Sequence, residues 1–475
     1  MAKTFFFYDL ETSGLNPRED RIMQFAGQRT DMELNPIGEP YDVLVALNDD
    51  TLPSPEAITV TGITPQQTIQ DGYTEAQFST LLLDEVFTPD TITVGFNSIR
   101  FDDEFIRALF WRNFRDPYEW AYRDGRSRWD LLDVVRLTRA LRPDGINWPV
   151  KEDGTPTNRL ELITALNGMT HEKAHDALSD VVALIQVAKL VRERQPELFN
   201  YLLKLRDKKA IMEIVDLDDP RPFVYASGRY ENEYQKTTVA YPVGHGQNGA
   251  VLVWDLRYNP SPFISLSSDE LAKRLFISRV EREAAGLEHV PVKPLQYNKA
   301  PAVAPLGVLG QHDGWQRVQL QPDTITLHRD ILRKNPNFVR VIEEAFKKRP
   351  AFAEASDAEA KLYDGFIPSG DKVHVQAVAH ASEGELTNFA PPFQDERLKE
   401  LLVRYKARNF PRTLSQTERG EWESWRAARI ATKLPDYLKS LSKLATSGAD
   451  EYLLGELTLW AESIAPAYDE DQSGE

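Results

Sequence analysis

The sequence predicts an α/β domain with a mixed sheet, followed by a small β-rich domain and then a helical one. Three observations predict it. Strand and helix signals alternate through residues 1–195, short strand-like runs broken by turn residues fill the next stretch, and from Pro350 apolar residues recur at helical spacing. At 475 residues the chain exceeds what one hydrophobic core ordinarily organises. The divisions fall at 1–195, 196–350 and 351–475.

FFFYDL, from Phe5 to Leu10, is an apolar run of strand length. MQFAGQRTD and PYDVLVALN continue as the second and third strands of a meander. TLLLDEVF is helical, TITVGFN is a strand, and DEFIRALFWRNF has helical spacing. LLDVVRLTRAL, LELITALNG and the run from Ala177 to Arg192 are further helices. QPELFNYLLKLRDKKAIMEIV opens the middle segment as helix. The strand-like PFVYASGRY, KTTVAYPVG and GAVLVWDLR follow, separated by HGQNG and RYNPSP, and predict a small barrel or sandwich with helical additions. ERLKELLVRYKARNF, EWESWRAARIATKL and EYLLGELTLWAESI carry helical periodicity. The end, YDEDQSGE, is acidic and poor in apolar residues, which predicts disorder.

Composition is that of a globular chain, 41% hydrophobic and 27% charged. No apolar run reaches the roughly 18 residues of a membrane span, and MAKTFFFYDL lacks the cleavage region of a signal peptide. Cysteine is absent, which excludes disulfides and thiolate metal sites and fits a reducing cytoplasm. The net charge of −17 argues at first against a polyanionic partner. It is unevenly spread, however: −12 over residues 1–195, +3 over 196–350 and −8 over 351–475.

Asp9 and Glu11 stand one residue apart at the end of the aromatic strand. Side chains at i and i+2 on a strand share a face, so two carboxylates are held side by side where burial strengthens their repulsion. A solvated surface strand would tolerate them, but three adjacent phenylalanines fit a strand buried on both faces. The other reading is a divalent metal site, since Mg²⁺ takes carboxylate oxygens. In GFNSIRFDDEF, Asp102 lies at a strand-to-helix turn, and either it or Asp103 can serve as a helix cap. In AHDALSDVVALIQVAKLV, Asp180 shares a helical face with Ala177, Ala183, Leu184 and Val187, with no Lys or Arg three or four positions away. A metal would offset the cost of a carboxylate in an apolar stripe. His175 lies five residues before it, near the start of the helix.

Asp9-x-Glu11, Asn97-x-x-x-Phe101-Asp102 and His175-x-x-x-x-Asp180 together resemble the DEDDh 3′→5′ exonucleases. The order and contexts agree: FYDLETSG, TGITP, FNSIRFDDEF, then AHDALSDV. RFDDEFIRALFWRNFRDPYEW, SRWDLLDVVRLTRALRPDGINWP, LYDGF and LVRYKARNFP narrow the resemblance to the bacterial exonuclease I family, closely over residues 1–200 and more patchily beyond. The resemblance implies an RNase H-like (DnaQ-like) nuclease domain, an SH3-like domain and a helical C-terminal domain. It implies that Asp9, Glu11, Asp102 and Asp180 bind two Mg²⁺ ions, with Mn²⁺ as a substitute, and that His175 is the general base. The implied reaction is processive degradation of single-stranded DNA to 5′-mononucleotides, in repair and recombination, by a cytoplasmic monomer.

Single-strand binding needs cations and aromatic platforms. Arg107, Arg112, Arg115, Tyr118, Trp120 and Tyr122 fall in one short region. By family position Glu11, Arg107, Tyr118, Tyr122, Arg136 and Arg159 contact the strand, while core packing competes for each aromatic. For Trp129, beside LLDVV, core is the expectation. The more basic middle segment is expected to close over the strand. The resemblance further implies that Arg142, Tyr201 and Arg333 receive the acidic-hydrophobic C-terminal tail of single-stranded DNA-binding protein. Pairing of the two arginines with Asp144 or Asp330 is the plainer alternative. A DEDDh exoribonuclease and a non-catalytic single-strand-binding module are the competing functions. The roughly 280 residues beyond the first segment argue against the former, and the five intact motif residues against the latter.

Overall fold

Phe5, Phe6 and Phe7 are fully buried, and they fix the centre of the first sheet. The computed structural model describes residues 3–169, 176–351 and 355–466. The backbone divides into two compact units. One draws on the described residues of 1–126, 172–182 and 354–475, the other on those of 127–171 and 183–353.

In the first unit the strands β1 (Thr4–Thr12), β2 (Ile22–Thr30), β3 (Tyr41–Leu44) and β4 (Thr91–Gly95) lie in the order β3-β2-β1-β4. β1 is antiparallel to β2 and parallel to β4, so the sheet is mixed, as the sequence predicts. Alternation sends the ring of Phe6 against Phe25 at 6.1 Å, while Phe5 and Phe7 share the other face at 5.9 Å. The crossover to β4 contains the short helices Pro55–Thr61, Pro65–Asp71 and Glu75–Leu81. The second and third are opened by capping boxes from Thr64 with Gln67 and Thr74 with Gln77. The TLLLDEVF helix keeps α geometry only to Leu81, and Leu82–Val86 widens into a π turn.

The helical residues 355–466 pack into this same unit. Ile430, Tyr437, Leu457 and Trp460 form one cluster with Met23, Leu47 and Ile58. Leu398, Leu401 and Tyr405 form another with Trp111 and Phe114. The helices Glu396–Asn409, Gln416–Thr446 and Glu451–Ile464 correspond to the three periodic runs read from the sequence. YDEDQSGE lies outside the described residues.

The second unit begins with β5 (Ser127–Asp130) and the helix Leu131–Leu141. Trp129 is buried edge-on against Phe199 at 5.1 Å, a core residue as expected. An all-antiparallel sheet follows, made of β6 (Phe223–Ala226), β7 (Thr237–His245), β8 (Val251–Asp255), β9 (Val292–Leu295) and β10 (Ala302–Pro305). Its order is β10-β6-β7-β8-β9, so the last strand returns to pair with the first. Val224, Val239, Val253 and Trp254 are among its fully buried residues. The helical additions expected here include Ser268–Phe276, Pro322–Lys334 and Pro336–Lys347. Among the described residues no helix is long and apolar enough to cross a membrane.

Candidate functional site

β1 delivers Asp9 and Glu11 to one side of the sheet, two residues apart. The helix Ala177–Arg194 brings Asp180 to them. One carboxylate oxygen from each of Asp9, Glu11 and Asp180 lies within 4.8 Å of the others. Asp102, buried at the first position of the helix Asp102–Arg112, completes the acidic group electrostatically. Burial, then Asp102, Glu11 and Asp180, pushes the Asp9 carboxyl well above the usual carboxylate range. Burial, then Asp180, Asp102 and Asp176, pushes Glu11 up to about 8. Four carboxylates that hinder one another's ionisation are poor partners for each other and good ones for a divalent cation. The donor set is all oxygen, which suits Mg²⁺ or Mn²⁺ over softer metals.

The DD pair in RFDDEF separates into two roles. Tyr8 donates a 2.5 Å hydrogen bond to Asp103, which is buried beneath the sheet. Burial and then Asp103 raise the Tyr8 phenol well above its ordinary value, so it stays a donor. Asp102 is the member that acts on Asp9 and Glu11. His175 lies outside the described residues. The neighbouring Asp176 carboxylate accepts from the Ser179 amide at 3.2 Å and caps the helix that carries Asp180.

Of the residues expected along a strand path, Arg107, Tyr118 and Tyr122 lie in the first unit. The Arg107 guanidinium sits 5.7 Å from the Tyr118 ring centre and 2.7 Å from Glu104. Tyr363, from LYDGF, donates to Glu104 and lies 3.5 Å from Arg107 through its hydroxyl, with its ring 6.5 Å from Tyr118. Phe366 of the same segment is 96% exposed, and Tyr122 65%. Tyr363 joins this group from a run that the sequence ties only to a family likeness, since nothing local in LYDGF points to Glu104 or Tyr118. In the second unit Arg136 pairs with Asp133 at 2.6 Å, and Arg159 is exposed with its guanidinium 3.9 Å from Glu161.

Two residues of the expected basic and aromatic cluster belong to the core instead. Arg112 is fully buried on Glu75 at 2.6 Å, with Asn113 donating to the same carboxylate. Trp120 is buried 4.6 Å from Phe87. Helical spacing explains the split: Arg107 and Arg112 are five positions apart, so their side chains leave opposite sides of one helix. Arg115 donates to Thr80 at 3.0 Å.

Arg142, Tyr201 and Arg333 all lie in the second unit, and no hydrogen bond or ion pair links the three. Arg142 donates to Gln311 at 2.7 Å, and Tyr201 donates to the Val303 carbonyl at 3.0 Å. Arg333 lines a cleft of about 710 Å³ with Tyr241, Pro242 and Arg329. The carboxylates nearest the two arginines in sequence pair with other residues. Asp144 faces His312 at 3.0 Å, and Asp330 is held by Arg329 at 2.8 Å.

Three family models match successive parts of the chain: Exonuclease over residues 6–188, Exonuclease I SH3-like domain over 206–348 and Exonuclease I C-terminal domain over 356–464. The chain is 39% identical over 468 residues to exodeoxyribonuclease I of Escherichia coli, covering 97% of this chain and 98% of that one. It is 38% identical over 449 residues to exodeoxyribonuclease I of Haemophilus influenzae, covering 94% and 95%. The fold superposes on E. coli exonuclease I in complex with a dA16 oligonucleotide with a TM-score of 0.93 at 38% identity, covering 98% of this chain and all of that one. A zinc-bound E. coli ExoI–ssDNA complex gives 0.93 at 38% identity, with the same coverage. An SSB/Exonuclease I structure in complex with the inhibitor CFAM gives 0.90 at 37%, again with 98% and 100% covered.

Proposed function

The chain belongs to the exodeoxyribonuclease I family, and from that membership we propose how its residues carry out the 3′→5′ removal of nucleotides from single-stranded DNA. The observation that carries the reading is the convergence of the Asp9, Glu11 and Asp180 oxygens within 4.8 Å, with Asp102 beside them. Asp9, Glu11, Asp102 and Asp180 would hold the divalent metal, as two Mg²⁺ ions with Mn²⁺ as a substitute. Bound there, the metal supplies a nucleophilic water and neutralises charge on the phosphate. Burial and then the neighbouring carboxylates raise the Asp9 and Glu11 carboxyls, so a cation bound there would compete with protons. His175 takes the proton of the attacking water, a role suited to a side chain that titrates near neutrality. The product is a 5′-mononucleotide.

Arg107 and Tyr118 hold the strand by charge and stacking. Tyr122, Arg136 and Arg159 extend the contact, and Tyr363 and Phe366 add aromatic surface from the C-terminal segment. The chain is read as three domains, 1–195, 196–350 and 351–475, acting as a cytoplasmic monomer in DNA repair and recombination. Single-stranded DNA and the single-stranded DNA-binding protein are its partners, the latter through its C-terminal tail at Arg142, Tyr201 and Arg333. The exoribonuclease alternative finds no support among relatives that are exodeoxyribonucleases.

The test is to incubate the protein with Mg²⁺ and 5′-labelled single-stranded DNA, duplex DNA or RNA. Single-stranded DNA should shorten from its 3′ end to mononucleotides, and chelator should stop it. Preferential loss of RNA, or hydrolysis in the chelator, would overturn the reading.

A further inference from the structure

The sheet becomes irregular immediately after Glu11. The β1–β2 ladder pairs Leu10 with Phe25 and Glu11 with Gln24, then jumps to Thr12 with Ile22, leaving Met23 as an extra residue on β2. Such a bulge bends a strand and re-aims the side chain beside it. The next rung closes the ladder: the Ser13 amide donates to the Arg21 carbonyl at 2.8 Å, and the Arg21 amide donates to Ser13 Oγ at 2.8 Å. Whatever fixes Arg21 therefore fixes the far side of the bulge that follows Glu11.

The Arg21 side chain is fully buried in a quartet of ions. Its Nη2 lies 3.2 Å from Asp50 and 2.8 Å from Glu359. Arg408 faces the same two carboxylates from the other side, at 2.9 and 2.5 Å. Two guanidiniums thus bridge two carboxylates, one acid and one base from each end of the chain. Arg429 adds bonds to the carbonyls of Asp50 at 3.0 Å and Glu19 at 2.7 Å. Arg408 belongs to the RYKARNF run, in which Arg404 is committed to Asp357, Lys406 to Glu418 and Asn409 to the Ala76 amide. A buried ion group of this size stabilises no better than well-packed apolar residues would, and its distinguishing property is fixed direction.

We propose that Glu359 and Arg408 are positioning residues for the nuclease reaction, acting through Arg21 and the Ser13–Arg21 rung to hold the bulge that aims Glu11 at Asp9 and Asp180. The proposal rests on the exonuclease reading above. It gives the C-terminal helical segment a role in the chemistry that does not require it to touch substrate.

The experiment compares full-length Glu359→Gln, Arg21→Lys and Ser13→Ala with the unmutated protein. Ser13→Ala removes one bond of the rung and leaves the ion quartet intact, so it separates positioning from folding. Lys406→Met, which removes a pair with Glu418 outside the ion quartet, controls for general destabilisation. Hydrolysis of a labelled single-stranded oligonucleotide is measured across divalent metal concentration, with melting temperature and oligonucleotide affinity alongside. The first three variants should lose about tenfold in kcat and need more metal for half-activation, as loss of support behind metal ligands typically does. Their KM for the oligonucleotide should stay at the unmutated value. Lys406→Met should melt lower with kcat unchanged. Wild-type kcat and metal requirement in Ser13→Ala and Glu359→Gln, or an equal kcat loss in Lys406→Met, would overturn the proposal alone. An unmutated protein that hydrolyses no DNA would overturn the functional reading and the proposal with it.

Discussion

The phenol of Tyr8 donates a 2.5 Å hydrogen bond to Asp103, and so distinguishes it from Asp102, its neighbour in sequence. Asp103 is spent on anchoring the helix Asp102–Arg112 to β1, while Asp102 is turned to the acidic group. The two should respond oppositely to truncation. Asp103→Ala leaves the Tyr8 hydroxyl buried without its acceptor and should cost about 1–3 kcal/mol of stability, with most hydrolytic activity retained at a temperature where the variant is folded. Asp102→Ala should leave melting little changed and abolish hydrolysis. Thermal melts paired with an oligonucleotide degradation assay check both.

Asp9→Ala, Glu11→Ala and Asp180→Ala should each abolish metal-dependent hydrolysis while single-strand binding largely survives, because each leaves the arginines and tyrosines proposed to hold the strand untouched. His175→Ala should retain metal binding and lose roughly 10²–10⁴-fold in rate, the span of a general base. Calorimetric metal titration and single-turnover degradation together separate the two roles. Near-normal activity in any carboxylate variant would remove that residue from the ligand set.

The raised carboxyl of Glu11 predicts a pH dependence whose sign is opposite to that of an ion-paired acid. Its folded value is about 8 against 4.5 ordinarily, so between these limits the native state binds more protons than the unfolded state. Stability from this group is therefore full below pH 4.5 and is lost as pH rises through about 8. Asp9 adds in the same direction. In chelator, the melting temperature of the wild type should fall relative to Glu11→Gln as pH rises across this window. A divalent metal must displace those protons, so the rise in melting temperature on adding Mg²⁺ should grow with pH. A metal-induced rise that is flat across the window would contradict the coupling.

Arg107 and Arg112 sit on one helix with different prospects. Arg107→Ala should weaken oligonucleotide binding and shorten processive runs with little effect on melting. Tyr118→Ala should do likewise, losing about 1–3 kcal/mol of binding if a base stacks on its ring. Arg112→Ala strands the Glu75 carboxylate in the interior and should cost about 3–5 kcal/mol of stability. Fluorescence anisotropy with denaturant melts distinguishes the two classes.

Much of this was legible in the sequence because it is local. Three phenylalanines before Asp9 and Glu11 dictate a buried strand with two carboxylates on one side, and the apolar stripe around Asp180 dictates an inward-facing acid. What was not legible depends on residues far apart in the chain. Choosing between Asp102 and Asp103 needed Tyr8, 95 positions from Asp103. Arg112 stands in sequence among surface-type cations, and only its buried partner Glu75, 37 positions away, places it in the core. The quartet of Arg21, Asp50, Glu359 and Arg408 has no periodicity to betray it, and the bulge at Glu11 is a property of the pairing with β2. The placement of Trp120 in the core rather than on a stacking surface was decided by Phe87 in the same way.

Arg142, Tyr201 and Arg333, proposed above to receive the tail, differ in how far their polar groups are committed. Among the described residues Arg142 donates to the neutral Gln311 side chain and to a backbone carbonyl, while Asp144 and Asp330 are held by His312 and Arg329. A guanidinium held by neutral groups keeps its charge for an incoming carboxylate, and an arginine-to-carboxylate pair is among the stronger hydrogen-bonded contacts. Arg333, in its cleft with Tyr241 and Pro242, combines a cation with apolar walls, which is the chemistry an acidic peptide ending in an aromatic residue requires. Tyr201 is committed through its hydroxyl to Val303, so only its ring can contribute to an apolar slot. Tyr201→Phe should accordingly leave tail binding unchanged if the ring alone matters. Arg142→Ala and Arg333→Ala should each weaken binding of a C-terminal tail peptide of the single-stranded DNA-binding protein, while hydrolysis of short naked oligonucleotides stays at the unmutated rate. Calorimetry with the peptide, run at two salt concentrations, measures both the loss and its electrostatic share. No binding by the unmutated protein, or equal binding by both arginine variants, would remove these residues from the partner site.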